Sequence, residues 1–130
     1  MDYQKHAQYW FSSAQSDLEV AQALFQIQKY DWCLFIAHLV LEKMLKGLFV
    51  QARHDYAPRS HKLDYLAESG GISLTPEQKV LLLKVNEFNV ETRYSDYQKN
   101  FKDICTEKFA FEYFTKIQEV YQWLLTMVKH

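Results

Sequence analysis

WCLFIAHLVLEKMLKGLFV, Trp32 to Val50, is the stretch whose reading decides the fold. Fifteen of its nineteen residues are apolar or glycine, and the exceptions are His38, Glu42, Lys43 and Lys46. Its length exceeds that of a strand, so it reads as a helix. A helix apolar nearly all round is buried. His38, Glu42 and Lys46 stand at i, i+4 and i+8 and therefore share one narrow face of it. Charge on a buried helix must be paired, bound or set at a cleft, because an isolated buried charge costs several kcal/mol. The stretch thus predicts a core helix with a polar stripe that needs partners.

A membrane span is excluded by the same residues. Glu42, Lys43 and Lys46 would each cost roughly 2.5–3.5 kcal/mol near a bilayer centre.

Working outward, Tyr3 to Ile27 reads as a first helix, with Trp10, Ala14, Leu18, Ala21 and Phe25 at three- and four-residue steps. Gln28 to Tyr30 is a short turn, and Asp31 is the expected N-cap of the helix running from Trp32 to about Arg53. So short a connection makes these two helices antiparallel neighbours. His54 to Ser60 is a polar loop containing Pro58. Ser60 is expected to cap a short helix from His61 to about Ser69, stopped by Gly70-Gly71. Thr75, Pro76 and Gln78 spell an N-cap, a first-turn proline and a capping-box partner. The helix they start runs to about Val90, with Val80, Leu83, Val85 and Phe88 as its packing residues. Arg93 to Lys102 reads as an ordered loop. Asp103 or Thr106 caps a last helix to about Val128, whose inner face is Phe109, Tyr113, Ile117, Val120, Leu124 and Val128. No strand-period segment or internal repeat occurs. The expected fold is all-α: an up-and-down bundle of four long helices plus one short helix, residues 1–130 forming a single domain.

Composition agrees. The chain of 130 residues is 48% apolar, and three Trp, nine Tyr and nine Phe supply a large core. Three Gly and two Pro are too few for an all-β fold or for disorder. A net charge of −1 offers no global basic surface, so any contact with nucleic acid must be local. Cys33 and Cys105 lack metal or redox spacing and follow no secretory leader, so both are expected as reduced thiols in a cytoplasmic protein.

Three constellations carry charge that chemistry could use. The first is the stripe His38, Glu42 and Lys46, with Asp17 of the first helix placed to pair Lys43 or Lys46. It serves either as a register-fixing network or as the floor of a site; a metal is not expected, since no second His or carboxylate-rich helix accompanies His38 and Glu42. The second is the loop after the long helix. From Lys46 to Lys62 there are Lys46, Arg53, Arg59 and Lys62 against one acid, Asp55, with His54 and His61 among them. Such a patch suits phosphate, or else complements the helix dipole. The third is Arg93-Tyr94-Ser95-Asp96-Tyr97, where an Arg beside tyrosines can hold a phosphate and stack on a base, or lock a helix end. Phe111, Phe114, Tyr121 and Trp123, with Phe11 and Trp32, exceed what one buried face needs and suggest an interface between copies.

In order and spacing, these segments resemble the HEPN superfamily (higher eukaryotes and prokaryotes nucleotide-binding). The pieces are Trp10, Ala14, Asp17-Leu18 and Ala21; Ala37 to Lys46; Pro58-Arg59-Ser60-His61-Lys62-Leu63; and Thr92 to Asp96. Together they span nearly the whole chain. The resemblance implies a helical bundle that pairs as a homodimer around a polar cleft. It also implies a partner: many members act with a minimal nucleotidyltransferase as a toxin–antitoxin pair, often as metal-independent RNases carrying Arg-x4–6-His. In that motif His serves as acid or base at the ribose 2′-hydroxyl while Arg holds the phosphate. This chain departs from it. After Arg93 the His window holds Gln98, Lys99 and Asn100, and seven residues separate Arg53 from His61. The resemblance therefore implies a nucleotide- or RNA-facing cleft, and a binding or nucleotidyltransferase-partner role, before it implies cleavage. The ligand-binding candidates are Arg93, Tyr94, His61, Lys46, Glu42, Asp17 and His38; His61, Arg53 and Arg93 are the candidates for catalysis in a degenerate RNase; neither cofactor nor metal is expected. A purely structural dimerisation protein is the remaining alternative.

Overall fold

The long helix forms as its composition requires, over Tyr30–Arg53 (α2), and it is buried on nearly every side. Around it the computed structural model describes the backbone of residues 1–91 and 95–129, with side chains over 1–89 and 100–129. Among the described residues the chain forms helices only: α1 (Tyr3–Gln26), α2, α3 (Leu63–Ser69), α4 (Pro76–Glu91), α5 (Ser95–Ile104) and α6 (Glu107–Leu125). The all-α bundle expected from the sequence is the observed architecture.

α1 starts at Asp2, whose carboxylate accepts the Lys5 N–H, and ends where Gln28 takes a left-handed φ of 65°. There the Gln28 and Lys29 N–H groups return to the carbonyls of Phe25 and Leu24, closing the last turn and reversing the chain. Contacts between α1 and α2 then run in opposite numerical order: Asp17 meets Lys43, Phe11 lies against Gly47, and Tyr3 stacks on His54. The two helices are antiparallel. Gly47 makes the approach close, since a Cβ there would fall 2.5 Å from Phe11 Cε1. α6 covers another side of α2 and is tied to its end by Gln51, which donates to the Met127 carbonyl and accepts from the Lys129 N–H.

Five local expectations are corrected. Asp31 is not the N-cap of α2; helical geometry begins at Tyr30, two residues before the expected Trp32, and Asp31 sits in the first turn, where its charge still complements the helix dipole. The short helix begins at Leu63 rather than His61. Ser60 accepts the Lys62 N–H in a turn, and the cap of α3 comes from another helix: Asn86 of α4 accepts the Leu63 N–H at 2.8 Å. On α4 the capping box of Thr75 and Gln78 forms as expected, but Val80 and Leu83 face out, while Leu82, Val85 and Phe88 are the packed residues. With apolar side chains around most of α4, periodicity could not choose the inward face. Residues 95–104 are helical, not loop. Among their described side chains Phe101 is buried, packed 5.4 Å from Phe88. Finally, α6 is capped by Thr106 but ends at Leu125, three residues before Val128. Of the surplus aromatics, Phe11, Phe114 and Tyr121 are absorbed by the core; Trp32 and Phe111 are exposed.

Candidate functional site

The polar stripe of α2 converges on Glu42. Its Oε2 accepts from the Lys46 ammonium at 3.1 Å, one turn on. Its Oε1 accepts from His61 Nδ1 at 2.8 Å. His38, one turn back and fully buried, has Nδ1 4.0 Å from the same oxygen. Its Nε2 lies 3.1 Å from the His61 carbonyl, and because a carbonyl can only accept, that nitrogen carries a proton. His61 is thus held twice, by its ring through Glu42 and by its backbone through His38. Glu42 is 5% exposed, whereas the His61 side chain is 48% exposed.

The nine-residue connection between α2 and α3 explains how His61 arrives there. His54 ends α2 with a left-handed φ of 54°, and the chain turns back along the helix to the level of Glu42. It carries Arg59 and Lys62, both exposed, on either side of Ser60-His61. Lys46 completes the cluster: buried along its length, its ammonium also stands 5.5 Å from the centre of the Trp10 ring.

The other candidates fall elsewhere. Asp17 pairs with Lys43 at 2.6 Å rather than with Lys46, and the Lys43 ammonium also donates to Ser13 Oγ at 2.7 Å. Arg53 donates to the Ser69 carbonyl and so closes the end of α3. It lies about 16 Å by helical rise from Glu42, and no Arg53–His61 pair forms. Arg93 and Tyr94 lie outside the described residues. Cys33 is buried, and burial pushes its thiol up to about 12, so it is no nucleophile at neutral pH. Among the described residues no group of three or more His, Cys, Asp or Glu side chains is placed to hold a metal ion. Nor is any described helix long and apolar enough to cross a membrane.

Sequence reasoning missed the contributions of Trp10 and Ser13 to this region. Trp10 was legible only as a core residue, because a helical period cannot tell an apolar contact from a cation–π one. Asn86, which seats α3 by bonding both the Leu63 N–H and Asp64, had no sequence signal to set it apart from the other amides of α4, Gln78 and Asn89.

A buried carboxylate between an ammonium and an imidazole orients that imidazole. With Nδ1–H given to Glu42, the outer nitrogen Nε2 is an acceptor in the neutral ring and a second donor in the charged one. Flanked in sequence by Arg59 and Lys62, and joined to Lys46 through Glu42, such a ring can bind a phosphate or exchange a proton with a group beside it. A helical bundle with a charged core helix and a histidine presented from the α2–α3 loop is the class of protein these features define.

The chain belongs to the HEPN domain family, whose model matches residues 7–127, and HEPN domains are nucleotide-binding and RNase-like modules. The crystal structure of TT1696 from Thermus thermophilus is similar in fold, with a TM-score of 0.80 at 22% sequence identity, covering 94% of this chain and 98% of that one. No curated protein matches the chain.

Proposed function

We propose that this HEPN protein is a nucleotide- or RNA-binding module whose phosphate site is the His61 loop. The observation that carries the reading is the double hold on His61, through Glu42 Oε1 and the His38 ring, which presents a half-exposed imidazole between Arg59 and Lys62. A solvated loop has no need of a buried carboxylate behind one of its side chains. Titration of purified protein with nucleoside triphosphates and short RNA tests it. His61→Ala is expected to weaken binding at least tenfold, about 1.4 kcal/mol. Equal affinity of wild type and His61→Ala, or no binding by either, overturns it.

The family relation supports a finer reading as well: a homodimer acting in the cytoplasm beside a minimal nucleotidyltransferase, in a toxin–antitoxin-like pair. Sedimentation at several concentrations and co-purification with a nucleotidyltransferase encoded beside it test these two parts separately. A monomer throughout removes the first, and failure to co-purify removes the second.

The Glu42–His61 pair favours one second reading, a metal-independent RNase. His61 Nε2 would take the ribose 2′-hydroxyl proton, the 2′-oxygen would attack phosphorus, and the 5′-oxygen would leave with a proton from solvent, giving a 2′,3′-cyclic phosphate. Cleavage that persists in chelator, ends in cyclic phosphate and disappears in His61→Ala is the expected result. Full cleavage by His61→Ala excludes it.

A further inference from the structure

The geometry points to a base-stacking platform for single-stranded nucleic acid, running from Lys46 along the first half of α1 to the loop residue Tyr56. This rests on the phosphate site proposed at His61 and names the kind of ligand that site takes.

Tyr3, His6, Trp10, Ser13 and Asp17 recur at three- and four-residue steps and so form one stripe on α1. Ser13 and Asp17 are engaged by Lys43, and Trp10 by Lys46. Beyond Trp10 the stripe becomes a row of rings. Trp10 lies 6.2 Å from His6 in an edge-on arrangement, and His6 lies 5.4 Å from Tyr56 in the same manner. Tyr9 adds a fourth ring 6.1 Å from Trp10. The row is continuous with the phosphate site, because the Lys46 ammonium that faces Trp10 also binds the carboxylate that holds His61.

Two of the rings are largely open to solvent. Tyr9 and Tyr56 are each 66% exposed. Tyr56 comes from the same loop as Arg59 and His61, so one segment supplies both a stacking ring and the cationic groups. The loop at the end of the row is net basic, with Arg59 and Lys62, both exposed, against Asp55. Lys46 beside Trp10 is paired with Glu42, and Asp55 accepts the Tyr56 N–H.

This chemistry distinguishes the occupant. A protein partner docking on an apolar patch favours a contiguous apolar core, whereas this row consists of rings with polar tips beside a cationic loop. Rings spaced along a basic path are what single-stranded nucleic acid uses: phosphates meet the cations and each base lays its face on a ring. A duplex hides those faces.

The test uses labelled single-stranded RNA of about eight nucleotides, the same sequence as a duplex, and a mononucleotide, each titrated against the full chain. The single strand is expected to bind more tightly than the other two. Tyr56→Ala and Tyr9→Ala should each weaken the single strand by about 5- to 150-fold, the range for one lost stacking contact. Both should leave the mononucleotide within about twofold and the thermal midpoint unchanged, since these rings are exposed; Tyr56→Phe should bind as wild type. Wild-type affinity for the single strand in both alanine variants, or equal affinity for strand and duplex, overturns the platform. Loss in the tyrosine variants with no loss in His61→Ala keeps the platform and instead overturns the phosphate site at His61.

Discussion

Asp17 and Glu42 each meet a lysine of α2, less than one turn apart, yet they do different things. Asp17 reaches across from α1 to Lys43 at 2.6 Å, with Ser13 as a third member, and the group is partly open to water. The Asp17 oxygen makes a Coulomb contact there rather than an aligned hydrogen bond. Glu42 is buried, its two oxygens are divided between Lys46 and His61, and the network ends on a half-exposed ring. The first closes on itself and ties two helices together. The second carries a buried charge outward to a group that solvent can reach. That difference, not the presence of charge, singles out His61 for the proposed site.

The largest effect should come from breaking the buried member. Glu42→Ala leaves the Lys46 ammonium buried without its carboxylate and removes the acceptor that holds His61. Loss of one partner of a buried pair costs about 3–5 kcal/mol, and urea unfolding should show it. A loss below about 1 kcal/mol would mean that water already screens Glu42 as it does Asp17.

Cys33, on the same helix, shows what a buried acid does when burial alone acts on it. Its thiol stays protonated to about 12. A raised value means that the stability it protects is fully present below the ordinary thiol range and is lost as pH climbs toward 12. The expected slope is about 1.4 kcal/mol per pH unit in that window. Tyr30 and Tyr121, also raised by burial, act in the same direction. Cys33→Ala should flatten the curve in part. Identical alkaline profiles for the two proteins would show that Cys33 does not carry the slope.

Gly47→Ala separates the two carboxylates by their scaffolds. The added methyl meets the Phe11 ring, and an overpacked contact of this kind costs about 1–3 kcal/mol. The displaced element is α1, which carries Asp17 and Trp10 but neither Glu42 nor His61. Stability should fall while His61-dependent mononucleotide binding holds. Loss of both together would tie the His61 site to the seat of α1.

Much of this was legible in the residues. The run from Trp32 to Val50 announces its burial because no amphipathic pattern divides it, and His38, Glu42 and Lys46 announce a shared face by spacing alone. Thr75 and Gln78 are legible because a capping box is local. The register of α4 was hidden, since Val80 and Leu83 are as apolar as Leu82 and Val85. α5 was hidden because polar residues outnumber Tyr97, Phe101 and Ile104, the apolar positions that carry its helical period. The choice of Lys43 over Lys46 for Asp17, and the capping of α3 by Asn86, depend on how helices meet in space, which spacing along one helix does not encode.

The smallest effect should come from the shortest contact. Double-mutant cycles on partly exposed ion pairs give about 0.2–1 kcal/mol, and Asp17 and Lys43 are 22% and 24% exposed. A cycle of Asp17→Asn with Lys43→Met should fall in that range and shrink further at about 1 M salt, where the screening length is about 3 Å. Lys46→Met in the same salt series should change little, because the Glu42 side chain is only 7% exposed to screening water. Were the Asp17–Lys43 coupling to exceed about 2 kcal/mol and resist salt, well above the usual range for exposed pairs, a partly exposed pair would be acting like a buried one. Burial would then no longer explain why the chain presents its histidine from Glu42 and not from Asp17.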